Sequence, residues 1–409
     1  MSCQRLPVEV KKMVMESKKS SEIAAQSSFY ATKQLAAIEK LKRQKSALQQ
    51  YFKERDEIVE TMFLCVLSQQ HQIQVGPPGT AKSALIESFT KGFDGFSMFS
   101  YQLSKFSTPE ELFGPFDLNE LKRGNYTRKS SGMMQDSEIV YVDEVFNANS
   151  SVLNKCNSLM NERTFEGKSA ALQSLFGATN FLPEESNLVA YFDRFLFRHL
   201  VKYIGEPNTF KSMLQLDRDF LPNKNDVIHR DEIKDLQVKL HEIDVSGIID
   251  KIVRIREELR EDGICPSDRR FRWALIALKA SALIDAREVV TEEDLFVLKH
   301  ILWGEKEHVS TIEQTIARIV QPALAEIKTL MSQAHEMCKS VKAKDPKKPD
   351  ELALIMETLE KLNKIKQEIE EIINSKNLSK KVLKVAEKIL KEIVSEGQRI
   401  QKDKMKAFF

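Results

Sequence analysis

The feature that most limits what this chain can fold into is the run HQIQV (His71 to Val75) leading directly into Gly76-Pro77-Pro78-Gly79-Thr80-Ala81-Lys82-Ser83. Before it, Ile58, Val59, Met62, Phe63, Val66 and Leu67 recur at helical spacing, so the order is helix, short strand, Gly-rich turn. The turn fits the phosphate-loop pattern G-x-x-x-x-G-K-[ST], except that Ala81 replaces the second glycine, a departure of one methyl group. A loop of this kind turns consecutive backbone N–H groups towards the β- and γ-phosphates of a nucleotide. Lys82 adds a point charge, and the Ser83 hydroxyl is placed to ligate Mg²⁺. The plainer reading is a Gly/Pro turn followed by a chance Lys-Ser pair.

Three further strand-like runs follow, Phe99 to Leu103, Ile139 to Val142 and Leu172 to Thr179. Strands alternating with helices predict an α/β domain, a mostly parallel sheet covered on both faces. The Ile139 run ends in Asp143 and Glu144. Asp143 suits holding Mg²⁺ through its water shell, and Glu144 suits orienting and deprotonating an attacking water. Asn180 ends the next strand, where an amide can align that water; the alternative is an ordinary turn asparagine. In Tyr191-Phe192-Asp193-Arg194-Phe195-Leu196-Phe197-Arg198, the two arginines share one face if the segment is helical, and either can serve as an arginine finger supplied in trans. The alternative is a surface arginine paired with Asp193.

Strand patterns stop near Gly205, and residues 229–303 read as helices, one of them opened by Thr291 with an acid three residues on. From Thr311 a continuous helical stripe runs through Ile312, Ile316, Ile319, Leu324, Ile327, Leu330 and Met331. A Pro/Lys linker (Lys342 to Asp350) leads to two amphipathic helices joined by a turn at Ser375 to Ser379, a helical hairpin or three-helix bundle. Expected boundaries are an N-terminal polar extension over 1–35, an α/β core over 36–204, a helical lid over 205–304 and a helical bundle over 305–409. The 409 residues carry a net charge of +2, which excludes a strong overall attraction to nucleic acid. Five scattered cysteines (Cys3, Cys65, Cys156, Cys265, Cys338) argue against a disulfide framework or zinc site and for a reducing cytoplasm. No apolar run approaches the roughly 18 residues of a membrane span.

At this level the chain resembles the AAA+ ATPases, and within them the MoxR family, with most likeness to its RavA (regulatory ATPase variant) branch. The resemblance covers roughly residues 50–304. It rests on ERDEIVETMFLCVLSQQHQIQVGPPGTAKS, TPEELFGPFDLNELKRGNYTRKSSGMM, VYVDEVFNANSSVLNKCNSLMNERTFEGK, GATN, YFDRFLFR and CPSDRRFRWALIALKASALIDAREVVTEEDL, in that order. It implies ATP and Mg²⁺ as ligands, Lys82 and Ser83 at the Walker A positions, Asp143 and Glu144 at Walker B, and Asn180 at sensor 1. Arg194 fits the finger position best. Arg269 fits the sensor 2 arginine that would touch its own subunit's γ-phosphate, and neighbouring Arg270 can take the role instead; the plain reading of Ser267-Asp268-Arg269-Arg270 is a helix cap with flanking charges.

The resemblance further implies a ring, a hexamer because the finger must reach a neighbour. It implies a partner protein to be remodelled or matured, and a von Willebrand factor A domain protein as co-factor. Lys122, Arg123, Arg128 and Lys129 around Tyr126 lie in what resembles a β-hairpin insert, which grips a polypeptide, grips nucleic acid, or is simply solvated. The β-rich module of the RavA branch has no counterpart in the short linker at Lys342 to Asp350. A nucleic-acid motor and an ATP-dependent assembly switch with little turnover are the competing readings.

Overall fold

A computed structural model describes residues 29–216, 219–342, 344, 348–375 and 380–405. Most of the expected N-terminal extension, with Cys3, and the turn at 376–379 lie outside these residues, as does much of the 342–350 linker. The chain divides into two compact units, one of residues up to 250 with 264–309, the other of 251–263 with 310–409. Residues of the expected lid are assigned to both units, 251–263 to the second and the rest to the first.

In the first unit, α1 (Thr32–Tyr51) and α2 (Asp56–Ser68) precede β1 (Gln72–Val75), and α3 (Lys82–Thr90) follows the Gly-rich loop. Next come β2 (Met98–Gln102), β3 (Ile139–Asp143), α4 (Ser150–Glu162), β4 (Ser174–Thr179), α5 (Ser186–Phe192) and β5 (Phe197–Leu200). The five strands form one sheet in the order β2-β3-β4-β1-β5, every neighbouring pair parallel. Parallel strands need helical crossovers that cover both faces, so β1 and β4 are buried along their whole length. All C-terminal strand ends then share one edge of the sheet, where the Gly-rich loop, Glu144 and Asn180 emerge together. Beyond its acidic first turn α2 is buried, with Val59, Met62, Phe63, Cys65 and Val66 all but inaccessible, and apolar residues lie round most of it because it is a core helix.

The Tyr191 to Arg198 segment is not one helix, so Arg194 and Arg198 do not share a helical face. α5 stops at Phe192, and Phe197–Leu200 is an edge strand paired with β1. Strands also do not end at Gly205: Ile228–His229 pairs with Phe93–Asp94. After α6 (Arg230–Lys239), α8 (Asp268–Ile284) packs on α2, and Thr291 does cap its segment, with Asp294 completing a capping box, although Glu292–His300 is 3-10 helix.

The second unit holds most of α7 (Ile249–Glu261) and of α9 (His308–Val320), then α10 (Pro322–Lys342), α11 (Pro349–Ser375) and α12 (Lys380–Met405). The stripe expected to run on from Thr311 is broken at Gln321, since Pro322 can begin a helix but cannot continue one. The last three helices pack mutually around Ile327, Ala334, Leu362, Ile369, Ala386 and Ile393, which makes them a three-helix bundle.

Candidate nucleotide site

The loop after β1 is shaped by close approach and backbone sign. A Cβ on Gly76 would lie 2.2 Å from the Val201 carbonyl oxygen, so only glycine fits where the chain leaving β5 passes. Gly79 has φ +76°, the left-handed region that glycine adopts without cost. Ala81 occupies the same region at φ 63°, immediately before α3. The missing glycine therefore changes the strain of the loop and leaves its path intact; a side chain there costs roughly 1–2 kcal/mol.

Lys82 is buried and folded back on its own loop. It donates to the Gly76 and Pro77 carbonyls at 2.7 and 3.0 Å and to Asn180 Oδ1 at 3.1 Å. Asn180 in turn donates through Nδ2 to Glu144 Oε1 at 2.6 Å, and Asn147 reaches Glu144 Oε2 at 3.4 Å. Ser83 donates to Asp143 Oδ2 at 3.1 Å. The structure thus brings Lys82, Ser83, Asp143, Glu144 and Asn180 into one connected cluster at the C-terminal edge of the sheet. Burial first, and then the charge of Asp143, holds the Glu144 carboxyl above its ordinary value despite the nearby Lys82 ammonium. Burial likewise lowers Lys82, against the pull of Asp143 and Glu144. A carboxylate raised towards neutrality at a sheet edge is suited to accept a proton from water.

The Ser83 and Asp143 oxygens are hard donors of the kind Mg²⁺ takes, and next to them lies the Tyr141 hydroxyl, buried and without a hydrogen-bond partner. This donor set fits a divalent cation. On the other side of the loop, Arg55 donates to the Lys202 carbonyl at 2.6 Å, and the Tyr203 hydroxyl donates to the Pro78 carbonyl at 3.1 Å. A cleft lined by residues 54–58 and 199–203 opens there. Of these lining residues, 54–58 open the first of the segments that carry the family resemblance, while 199–203 carry no motif.

The arginines occupy the other edge. Residues 193–196 precede β5, which runs parallel to β1 with Phe197 opposite Gln72 and Leu200 opposite Val75. They are thus separated from the phosphate loop by the length of a four-residue strand, roughly 13 Å at 3.3 Å per residue. Arg198 lies in the core, 3% exposed. It bonds the Phe195, Phe192 and Trp303 carbonyls and Asp193, and stacks on the Phe192 ring with its guanidinium carbon 4.0 Å from the centroid. It has no reach outward, which corrects its candidacy as a finger. Arg270, 1% exposed, is spent in the same way on the carbonyls of Asp193, Phe195, Leu196 and Ile301. Asp193 pairs with both buried arginines, at 3.3 and 3.0 Å, rather than with a surface one.

Arg194 is half-buried, bonded to the Ala190 carbonyl and, with the Asn161 amide oxygen turned towards it, to Asn161 at 3.0 and 3.2 Å. Exposed Arg269 lies over the Trp273 ring of its own helix, and its charge helps, after burial, to lower the Arg194 pKa. Arg269 therefore lies near Arg194, beside the N-terminal edge of the sheet. The basic insert is a short antiparallel pairing, Phe116 opposite Arg128 with Asp117 N–H donating to the Thr127 carbonyl and Lys129 N–H to the Pro115 carbonyl, and it closes a helical turn (Leu118–Lys122). Arg128 is held by Glu110, Glu166 and the Phe116 ring, and Arg123 pairs with Glu120.

Comparison with known proteins gives the family of the fold. Residues 39–240 match a family model described as the MoxR domain in the MoxR-vWA-beta-propeller ternary systems, and residues 247–316 match an AAA lid domain. The chain belongs to the MoxR family of AAA+ ATPases. Two uncharacterised proteins of Methanocaldococcus jannaschii, MJ0812 and MJ0079, are 33% and 32% identical to this MoxR chain, over 86% and 87% of its length and 96% and 95% of theirs. A crystal structure of a candidate ATPase from Cytophaga hutchinsonii superposes with a TM-score of 0.56 at 18% identity, covering 75% of this chain and 98% of that one, a likeness of fold. No helix among the described residues is long and apolar enough to cross a membrane.

Proposed function

We propose that this MoxR ATPase works as a ring, a hexamer by family likeness, that hydrolyses ATP with Mg²⁺ to remodel or mature a partner protein. The observation that carries the reading is the division of functional groups between opposite sheet edges. Lys82, Ser83, Asp143, Glu144 and Asn180 meet at one edge, while Arg194, with Arg269 near it, lies at the other, the length of β5 away from its own loop. In a ring, the second edge of one subunit faces the first edge of the next. Residues 76–83 cradle the phosphates, and the Lys82 ammonium exchanges its loop carbonyls for phosphate oxygens. Ser83 and Asp143 hold the cation, which neutralises phosphate charge. Glu144 takes the proton of the attacking water, with Asn180 fixing its orientation. Arg194 is the finger, and Arg269 beside it serves the same neighbouring site rather than its own.

The family model's description motivates a von Willebrand factor A domain protein as the partner. The likeness to the RavA branch rests on the sequence segments alone, and the partner reading follows the model's description instead. The unpaired thiols Cys65 and Cys156 suit a reducing cytoplasm, where we place the protein. The basic insert does not favour a nucleic-acid motor, since Arg128 and Arg123 are already paired with acids. ATP turnover and particle mass, measured together for wild type, Glu144→Gln and Arg194→Ala, test the proposal. Rings that hydrolyse ATP only as wild type support it, and a wild type that stays monomeric with nucleotide and turns over as fast as Arg194→Ala overturns it.

A further inference from the structure

Tyr141 stands two residues before Asp143 on β3, so the two side chains leave the strand on the same face. Ser83 and Glu87, one turn apart on α3, are with Asp143 the polar neighbours of its hydroxyl. The residue is 7% exposed and its hydroxyl is buried, yet neither Ser83 nor Asp143 meets that oxygen with the geometry of a hydrogen bond. Buried polar atoms left without a partner are rare, and a phenylalanine would fill the same space with no polar atom to satisfy. The Asp143 carboxylate currently accepts from Ser83 and from the Glu144 backbone N–H. Ser83 can give a lone pair to a cation and keep its proton on Asp143 Oδ2; that carboxylate oxygen has a second lone pair, and Tyr141 is the adjacent hydroxyl still free to donate to it.

We infer that Tyr141 is a positioning residue for the divalent metal: its hydroxyl fixes the Asp143 carboxylate once Ser83 and Asp143 hold the ion, and so sets metal affinity without contributing to nucleotide binding itself. The inference rests on reading Lys82, Ser83 and Asp143 as a nucleotide-metal site. Outer partners of this kind typically change metal affinity 10- to 100-fold.

The test uses the full chain as wild type, Tyr141→Phe, Asp143→Asn and the double variant. Mn²⁺ is titrated against the ADP complex and followed by electron paramagnetic resonance, and a fluorescent ADP analogue is titrated in EDTA. In Tyr141→Phe the Mn²⁺ affinity should fall about 10- to 100-fold, while ADP affinity in EDTA and the metal-free melting temperature hold or the latter rises. In the Asp143→Asn background the same substitution should change nothing further, because Tyr141 acts through that carboxylate. Unchanged Mn²⁺ affinity in Tyr141→Phe overturns the inference. So does a variant that melts early or loses ADP binding in EDTA, since Tyr141 would then be a packing residue. A wild type that binds neither ADP nor Mn²⁺ overturns the site reading beneath it, an outcome distinct from the other two.

Discussion

The two edges of the sheet use their cations in opposite ways. At the C-terminal edge, Lys82 rests on the Gly76 and Pro77 carbonyls and on Asn180, contacts that phosphate oxygens can replace one for one. At the N-terminal edge, Arg198 and Arg270 are buried and committed to main-chain carbonyls, with Arg270 pushed down to about 10 by burial despite Asp193. These two arginines are scaffold: they fasten the 192–196 turn, and Arg270 ties α8 to it. The arginines left over at that edge are Arg194 and Arg269, two like charges near one another; burial first and then the Arg269 charge lower Arg194. Such a pair is relieved by an anion. A cation available for function here is one whose present partners are exchangeable.

If the comparison holds, Arg194→Ala has the largest effect. Turnover should fall about 10³- to 10⁵-fold while ATP binding, followed by fluorescence of a labelled nucleotide, is retained. Glu144→Gln comes next, with hydrolysis lower by roughly 10²- to 10⁴-fold and assembly preserved in sedimentation. Because the Glu144 carboxyl is held above its ordinary value, it takes up its proton at a higher pH than a free glutamate, and protonated Glu144 cannot accept one from water. As pH falls, wild-type kcat should therefore begin to decline at a higher pH than an unperturbed glutamate would give. An acid limb no higher than that of a free carboxylate would break the assignment.

Arg270→Met should act on stability instead, removing about 3–5 kcal/mol from the first unit in urea denaturation, because Asp193 and four carbonyls lose their donor. Arg270→Lys should recover only part of this, since a point charge cannot serve several acceptors as a guanidinium fork does. The smallest effect is expected for Ala81→Gly: relief of the left-handed alanine raises stability by about 1 kcal/mol, read from thermal melting, with hydrolysis retained.

Much of the site was legible because its residues follow apolar strands at ends marked by Gly, Asp-Glu or Asn. Ile139 to Val142 and Leu172 to Thr179 are unmistakably buried strands, and a parallel sheet puts their ends side by side. Phe195 to Leu200 was harder to read. A short apolar run containing one arginine has no period that separates strand from helix, and Arg198 looks exposed by residue type alone. Its burial depends on carbonyls supplied by Phe192, Phe195 and the distant Trp303, partners that no local pattern reveals. The same holds for the choice between Arg269 and Arg270. They are adjacent on α8, and only its packing decides which one is buried. The stop at Pro322 was written in the sequence, but the apolar stripe continues across it and masks the break.

The most direct test of the central claim, that one active site is built from opposite edges of two subunits, is to mix two inactive variants. Arg194→Ala keeps Glu144, and Glu144→Gln keeps Arg194. Mixed under conditions that allow subunits to exchange, they form interfaces where an intact Glu144 faces an intact Arg194, so ATP hydrolysis should reappear although neither variant hydrolyses alone. If exchange is demonstrated by mass and hydrolysis stays at the level of the separate variants, Arg194 does not serve a neighbour's site and the account is wrong.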